Sequence, residues 1–314
     1  MRARAAQQFG DALGEFEFGR VDYFSDAPDK ARHPDDPAEL ELTARITDLL
    51  RGAQSQVVFE TPYLVLSARA RGVFRELYRR RPRVPVVVST NSLAATDAFY
   101  VYALSYKYKK RYLRRYGFEI HEFKPFPADA AEFVQNYATL SGGSAAGRYR
   151  RYGQAPLTHG GVRLGLHSKS IVIDDRIALI GSHNFDPRSD NYNTESGFII
   201  YDRVVAERVR AEILRNAAPQ NAWTIAKRQR NKLMEKINNA IATVSTALPV
   251  FDLWPFRYAT SYELKPGCAP LPPSSPGFYA CYEDVGDFPQ VGLPLKTIYT
   301  RIVTAFGAGF VGIL

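Results

Sequence analysis

At 314 residues the chain is long enough to bury a core and to form one or two domains. Its composition, 46% hydrophobic and 23% charged, excludes a disordered chain, and no apolar run approaches the ~20 residues that a bilayer-crossing helix needs. The formal charge of +9 points to anionic partners (phospholipid headgroups, nucleic acid or phosphorylated metabolites), or else to a plain basic surface.

The opening MRARAAQQFGDALGEFEFG has early charge but no continuous apolar core, so it does not read as a secretion signal. Residues 1–36 are polar and irregular and read as a linker ending in DAPDKARHPDDP. Leu40, Leu42, Ile46, Leu49 and Leu50 recur at helical spacing and predict a helix over about 38–51. Strands are expected at 56–61 (QVVFET), 84–90 (VPVVVST) and 118–123 (FEIHEF), with helices at about 67–80 and 95–116 between them. That alternation predicts an α/β domain, over 37–216, with a largely parallel sheet. Residues 126–160 break this alternation, and SGGSAAGRYRRYGQ within them, Gly/Ser-rich and then basic, reads as a mobile loop. Apolar β runs return at 162–174, 176–184 and 197–202, and a helix follows at about 203–216. Residues 217–314 read as a separate extension, a basic helix near 224–243 followed by an irregular stretch rich in Pro and aromatics. Cys268 and Cys281 can pair in an oxidising compartment or stay free thiols in the cytoplasm.

The segment LHSKSIVIDDRIALIGSHNFDPRSDNYNTES carries the chemistry. Asp174-Asp175 between two apolar runs suits a tight hairpin turn. With those two residues as the loop, His167 stands opposite Ser182, and His167, Lys169, Ser182 and Asn184 project to one side. An imidazole, an ammonium, a hydroxyl and a carboxamide on one face suit attack on phosphorus. The imidazole serves as nucleophile or proton donor, and the others hold oxygens on which charge builds. Glu195 is placed to orient His167. This chemistry requires no metal and no cofactor. Taken singly each residue has an ordinary reading, such as a core histidine or a solvated lysine, and only the joint spacing argues for a site.

That spacing, H-x-K-x4-D followed by G-S-x-N, resembles the signature of the phospholipase D superfamily: His167, Lys169, Asp174, then Gly181, Ser182 and Asn184, with Glu195 trailing. ETPYLVLS (60–67), NSLAATDAF (91–99), EIHEFKP (119–125) and FDPRSDNYNTES (185–196) resemble the cardiolipin synthase branch, specifically its C-terminal half. The resemblance covers about residues 20–215. It implies a mixed sheet flanked by helices, with an irregular C-terminal extension. It further implies a phosphatidyltransferase or phosphodiesterase that works through a phosphohistidine. His167 would be the acid/base of a histidine pair, Lys169 and Asn184 would grip phosphoryl oxygens with help from Ser182, and Glu195 would hydrogen-bond the imidazole. Asp174 belongs to the motif but is expected to hold the turn. The implied partners are an anionic phospholipid such as phosphatidylglycerol and the surface of a bacterial membrane, with nucleic acid not expected.

Such a site needs two motifs, and of the five histidines only His167 begins an H-x-K. The missing half is expected either from a longer two-motif protein, the favoured reading, or from a second copy across a two-fold axis, as in single-motif nucleases of the superfamily. An inactive lipid-binding remnant is a third reading. A half-enzyme is expected to expose apolar surface. The Lys/Arg and Tyr residues of 106–116 suit either an anionic leaflet or a solvated helix face.

Overall fold

The computed structural model describes residues 19–33, 41–142, 154–229 and 257–307. In chain order the strands are β1 (Arg20–Ser25), β2 (Val57–Glu60), β3 (Val86–Asn91), β4 (Glu119–Phe123), β5 (Ser170–Ile173), β6 (Ile177–Gly181), β7 (Ser196–Tyr201), β8 (Ala222–Lys227), β9 (Ala259–Leu264) and β10 (Tyr282–Gly286). The helices are α1 (Glu41–Gly52), α2 (Ala68–Arg79), α3 (Phe99–Arg111), α4 (Ala130–Phe133), α5 (Tyr137–Gly142), α6 (Pro187–Asn191), α7 (Arg203–Asn216), α8 (Phe278–Cys281) and α9 (Leu295–Gly307).

The ten strands among the described residues join one sheet in the order β1-β7-β6-β5-β2-β3-β4-β8-β9-β10. Only β2, β3 and β4 are parallel to one another; every other pairing is antiparallel. The sheet is therefore mixed rather than largely parallel. The physical reason is the short connection between β5 and β6, which leaves no room for the crossover helix a parallel pair requires.

The helical expectations over 38–51, 67–80 and 203–216 correspond to α1, α2 and α7. Ser67 caps α2 by accepting from Ala70 N–H (3.0 Å), and Asp202 caps α7 by accepting from Val205 N–H (2.9 Å). The helix expected to 116 leaves α-geometry at Tyr112, where a π-turn runs to Tyr116 and Gly117 closes it at φ +64°. Residues 126–160 are not wholly irregular, since α4 and α5 lie within them; residues 143–153 lie outside the described residues.

Two further expectations change. Arg20–Ser25, read as linker, pairs with β7, because the aromatic and β-branched run RVDYFS completes an otherwise open edge. The basic helix expected near 224–243 begins as β8, where buried Trp223 and Ile225 alternate in a strand between β4 and β9; residues 230–256 lie outside the described residues. The described residues after 217 thus supply three strands and the helices α8 and α9, and Cys268 and Cys281 are joined by a disulfide there.

One face of the sheet (Val57, Phe59, Val88, Ile171, Leu179, Ile199) packs against α1, α2 and the π-turn tyrosines Tyr112 and Tyr116. The other (Val58, Val172, Ala178) is covered by Ala206 and Ile213 of α7. A third cluster joins α3 to α9 around Tyr102, Tyr106, Ile298 and Ile302. The charged helix α3 is therefore no free lipid-facing stripe: Tyr102, Tyr106 and Lys109 are buried, while Arg111, Arg114 and Arg115 are exposed. Near the β1 edge the cross-strand row Tyr23, Phe198 and Ile180 stays exposed, at 59%, 48% and 39%. No helix among the described residues is long and apolar enough to cross a membrane.

Candidate active site

The segment entering β5 is held from the end of β3. The Asn91 carboxamide donates to Leu166 O (2.9 Å) and accepts from Leu166 N–H (2.8 Å), a strand-like pairing made by one side chain. Gly165 is required alongside, because a Cβ there would sit 2.8 Å from Ala95 O. His167 follows, exposed, and Lys169 is buried two residues on.

The Lys169 ammonium lies 3.0 Å from His167 Nδ1 and 3.4 Å from Nε2, and donates to His167 O at 2.7 Å. An ammonium has only protons to give, so the ring nitrogen it bonds is the acceptor. Burial pushes Lys169 below the usual lysine range, and the carboxylates of Glu195, Asp97 and Asp186 pull it back up.

The hairpin differs by one residue from the sequence expectation. Ile173 pairs with Ile177 and Ser170 with Ile180, so the loop is Asp174–Arg176 and not Asp174-Asp175 alone. Both aspartates adopt left-handed φ, +55° and +54°. The Asp174 carboxylate is drawn into the loop before β2, accepting from the N–H groups of Gln54, Ser55 and Gln56 and from Ser55 Oγ (2.7–3.0 Å). These bonds outweigh its own burial and hold its pKa below the usual carboxylate range. The four residues of β5, about 13 Å of strand, separate it from the histidine end. Asp174 belongs to the motif, and its contacts are those of a turn anchor.

The same slip moves Ser182 away from His167. Gly181 N–H donates to Lys169 O (3.1 Å), and Ser182 lies in a bend beyond β6 where the strand pleat no longer fixes its side. Its hydroxyl donates to Glu195 Oε2, while Asn193 Nδ2 donates to Oε1 (3.1 Å). Glu195 is buried; its bonds go to Ser182 and Asn193, not to the imidazole, and its charge acts on Lys169. Asn184 donates its N–H to Ser189 Oγ (3.0 Å) and accepts at its carbonyl from Thr61 (3.1 Å), and its side-chain Oδ1 has no partner among the described residues. The chain then turns through Phe185 at φ +64°, a costly angle secured by packing of its ring against Phe59.

Not every motif residue serves the site. His183 is buried with Nδ1 accepting from Phe185 N–H (3.0 Å) and Nε2 against Asp190 (3.1 Å), a structural arrangement. Conversely, sequence reasoning gave no role to Asn91, Tyr63 or Asp97. Tyr63 donates to Asp97 at 2.6 Å, and burial followed by that carboxylate raises the phenol pKa. The signal was present in the segments ETPYLVLS and NSLAATDAF, but spacing assigns no chemistry to them.

The family model described as "Cardiolipin synthase, PLD-like domain" matches residues 46–216, more than half of the chain, and spans the whole constellation from Asn91 to Glu195. The chain belongs to this family. Cardiolipin synthase C of Escherichia coli (strain K12) is 32% identical over 183 residues, 56% of this chain and 34% of that protein. An uncharacterized protein of Helicobacter pylori is 25% identical over 224 residues, 71% of this chain and 38% of that one. The chain thus spans about a third of the length of these curated relatives. Among solved structures, NucT from Helicobacter pylori aligns over 63% of this chain and 95% of its own, with 11% identity and a TM-score of 0.41. Nuc from Salmonella typhimurium aligns over 65% and 97%, with 13% identity and a TM-score of 0.39.

In this cardiolipin synthase-like domain Gly181 sits where β6 passes close against β7. A Cβ there would overlap Ser196 O and lie 2.9 Å from Gly197 Cα. Gly181→Ala is expected to force the two strands apart, lowering stability by about 1–3 kcal/mol in urea unfolding.

Proposed function

We propose that the chain supplies one half-site of a phospholipase D-type phosphatidyltransferase acting on phosphatidylglycerol or a related anionic phospholipid at a membrane surface. The observation that carries the reading is the Lys169 ammonium held 3.0 Å from the exposed imidazole of His167, with Ser182 and Glu195 linked beside them. A second histidine attacks phosphorus and forms a phosphohistidine, and His167 gives its proton to the departing alkoxide. An incoming hydroxyl then returns a proton to His167 as it attacks phosphorus and releases the histidine. Lys169 and the Nδ2 amide of Asn184 donate to the non-bridging oxygens, with Ser182 beside them. A glycerol hydroxyl of a second phosphatidylglycerol as acceptor yields cardiolipin and glycerol; water yields phosphatidate.

The second histidine comes from another polypeptide segment of the same kind. The single H-x-K of this sequence supports a second copy as one source. A related reading, a homodimeric nuclease, draws on that single motif and on the charge of +9. The purified chain is to be incubated with phosphatidylglycerol vesicles and, separately, with DNA in the absence of divalent metal, with size-exclusion chromatography alongside. Cardiolipin or phosphatidate formation supports the phosphatidyltransferase reading. A stable dimer that cuts DNA and leaves lipid untouched replaces it with the nuclease.

A further inference from the structure

The site residues Asn184 and Glu195 stand on loops, and loops need an anchor to hold catalytic groups at fixed positions. The anchor comes from residues 26–30, which follow the edge strand β1 and were read from sequence as linker. Asp26 and Lys30 form an ion pair at 2.6 Å, and both side chains are fully buried. Asp26 N–H donates to Glu195 O (2.8 Å) and Asp26 Oδ2 accepts from Glu195 N–H (3.0 Å), so one aspartate brackets the peptide groups on both sides of Glu195 Cα. Lys30 extends to the other arm of the site and donates to Ser189 O at 2.7 Å. Ser189 in turn accepts the Asn184 N–H through its hydroxyl (3.0 Å), and its own N–H is capped by Asp186 (2.7 Å).

We propose that Asp26 and Lys30 are positioning residues of the half-site: their buried pair ties the Glu195 arm to the Asn184 arm. The inference rests on the reading of His167, Lys169, Asn184 and Glu195 as one site. A buried ion pair is a poor route to stability, because desolvation of both charges offsets their attraction. Its place at the junction of the two arms gives it a geometric role. Breaking it frees the Glu195 backbone, and the carboxylate no longer stands where its charge supports the Lys169 ammonium.

The test follows Lys169 and requires no turnover, so it separates this inference from the proposed activity. The groups acting on Lys169 are Glu195, Asp97, Asp186 and the neighbouring His167 ring, and of these only Glu195 and Asp186 lie on arms that the pair holds. Lys169 is titrated by NMR of labelled lysine side chains in the wild type, in Glu195→Gln as the reference without that charge, and in Asp26→Asn/Lys30→Met. The double variant removes both buried charges together, keeping the interior neutral; Asp26→Asn alone is the second variant should the double fail to fold. The expected result is a Lys169 titration displaced to lower pH by at least half of the displacement seen in Glu195→Gln, with the titration of Lys124, on the far side of the sheet order, unmoved. A Lys169 titration that stays at its wild-type position in whichever of the two variants folds overturns the proposal.

Discussion

On the proposed function, His167→Ala is expected to lower turnover of the completed site by at least about 10³-fold, while unfolding stability changes by less than about 0.5 kcal/mol. The expectation of lost turnover follows from chemistry. The proton transfer to the leaving alkoxide, and its return from the incoming hydroxyl, have no substitute once the imidazole is gone, and general acid–base catalysis contributes orders of magnitude. The expectation of an intact fold follows from geometry. His167 is exposed, so its removal leaves no cavity. Lys169 also keeps its bond to His167 O (2.7 Å), a backbone atom that the substitution retains. The ammonium therefore stays in place, and the variant reports on the ring alone. Phosphatidylglycerol turnover by wild type and variant, with urea unfolding alongside, checks both halves. Turnover near the wild-type rate removes His167 from the mechanism.

The constellation was legible in the sequence because the residues that carry it lie close together along the chain. His167, Lys169, Ser182, Asn184 and Glu195 fall within one hairpin and the loop after it, and local spacing suffices to group them. The register was not legible. Asp174-Asp175 has the composition of a two-residue turn, but Asp174 accepts from three backbone N–H groups 118 to 120 residues earlier, and those bonds draw Arg176 into the loop. A contact that distant leaves no local signal, and the one-residue slip it causes changes which side chains face each other. The same limit applies to Asp26 and Lys30, separated from Glu195 by 169 residues in the case of Asp26. In sequence they are polar residues in a Pro-containing stretch; in the fold they are buried. The parallel strands β2, β3 and β4 were legible because each is a β-branched or aromatic run flanked by helices. By contrast β8 was masked by the basic residues that follow it, and its partner β9 lies on the far side of residues 230–256.

Lys109→Met is expected to destabilise the protein by about 3–5 kcal/mol, the cost of removing one partner of a buried ion pair. Lys109 on α3 meets Glu122 on β4 at 2.6 Å, with side-chain exposures of 6% and 1%, and Tyr102 bridges them, accepting from the ammonium and donating to the carboxylate. Methionine fills a similar space without charge, so packing of α3 is largely kept and the effect isolates the stranded carboxylate. Burial already raises the Glu122 pKa, with Lys109 the chief opposing influence. A carboxyl whose folded pKa lies above its unfolded value holds its proton more tightly in the folded state. Stability is then greatest below the unfolded pKa and falls as pH rises through the folded one. Without Lys109 the folded pKa moves higher still, so the gap between wild type and variant in urea unfolding should widen from pH 5 to pH 8. In Lys109→Met/Glu122→Gln the carboxylate is gone, and most of the loss should be recovered at pH 8. Recovery would assign the cost to an unpaired buried charge rather than to damaged packing. A gap independent of pH, with no recovery in the double variant, would instead mean that α3 is held to the sheet by its tyrosines and that the ion pair contributes little.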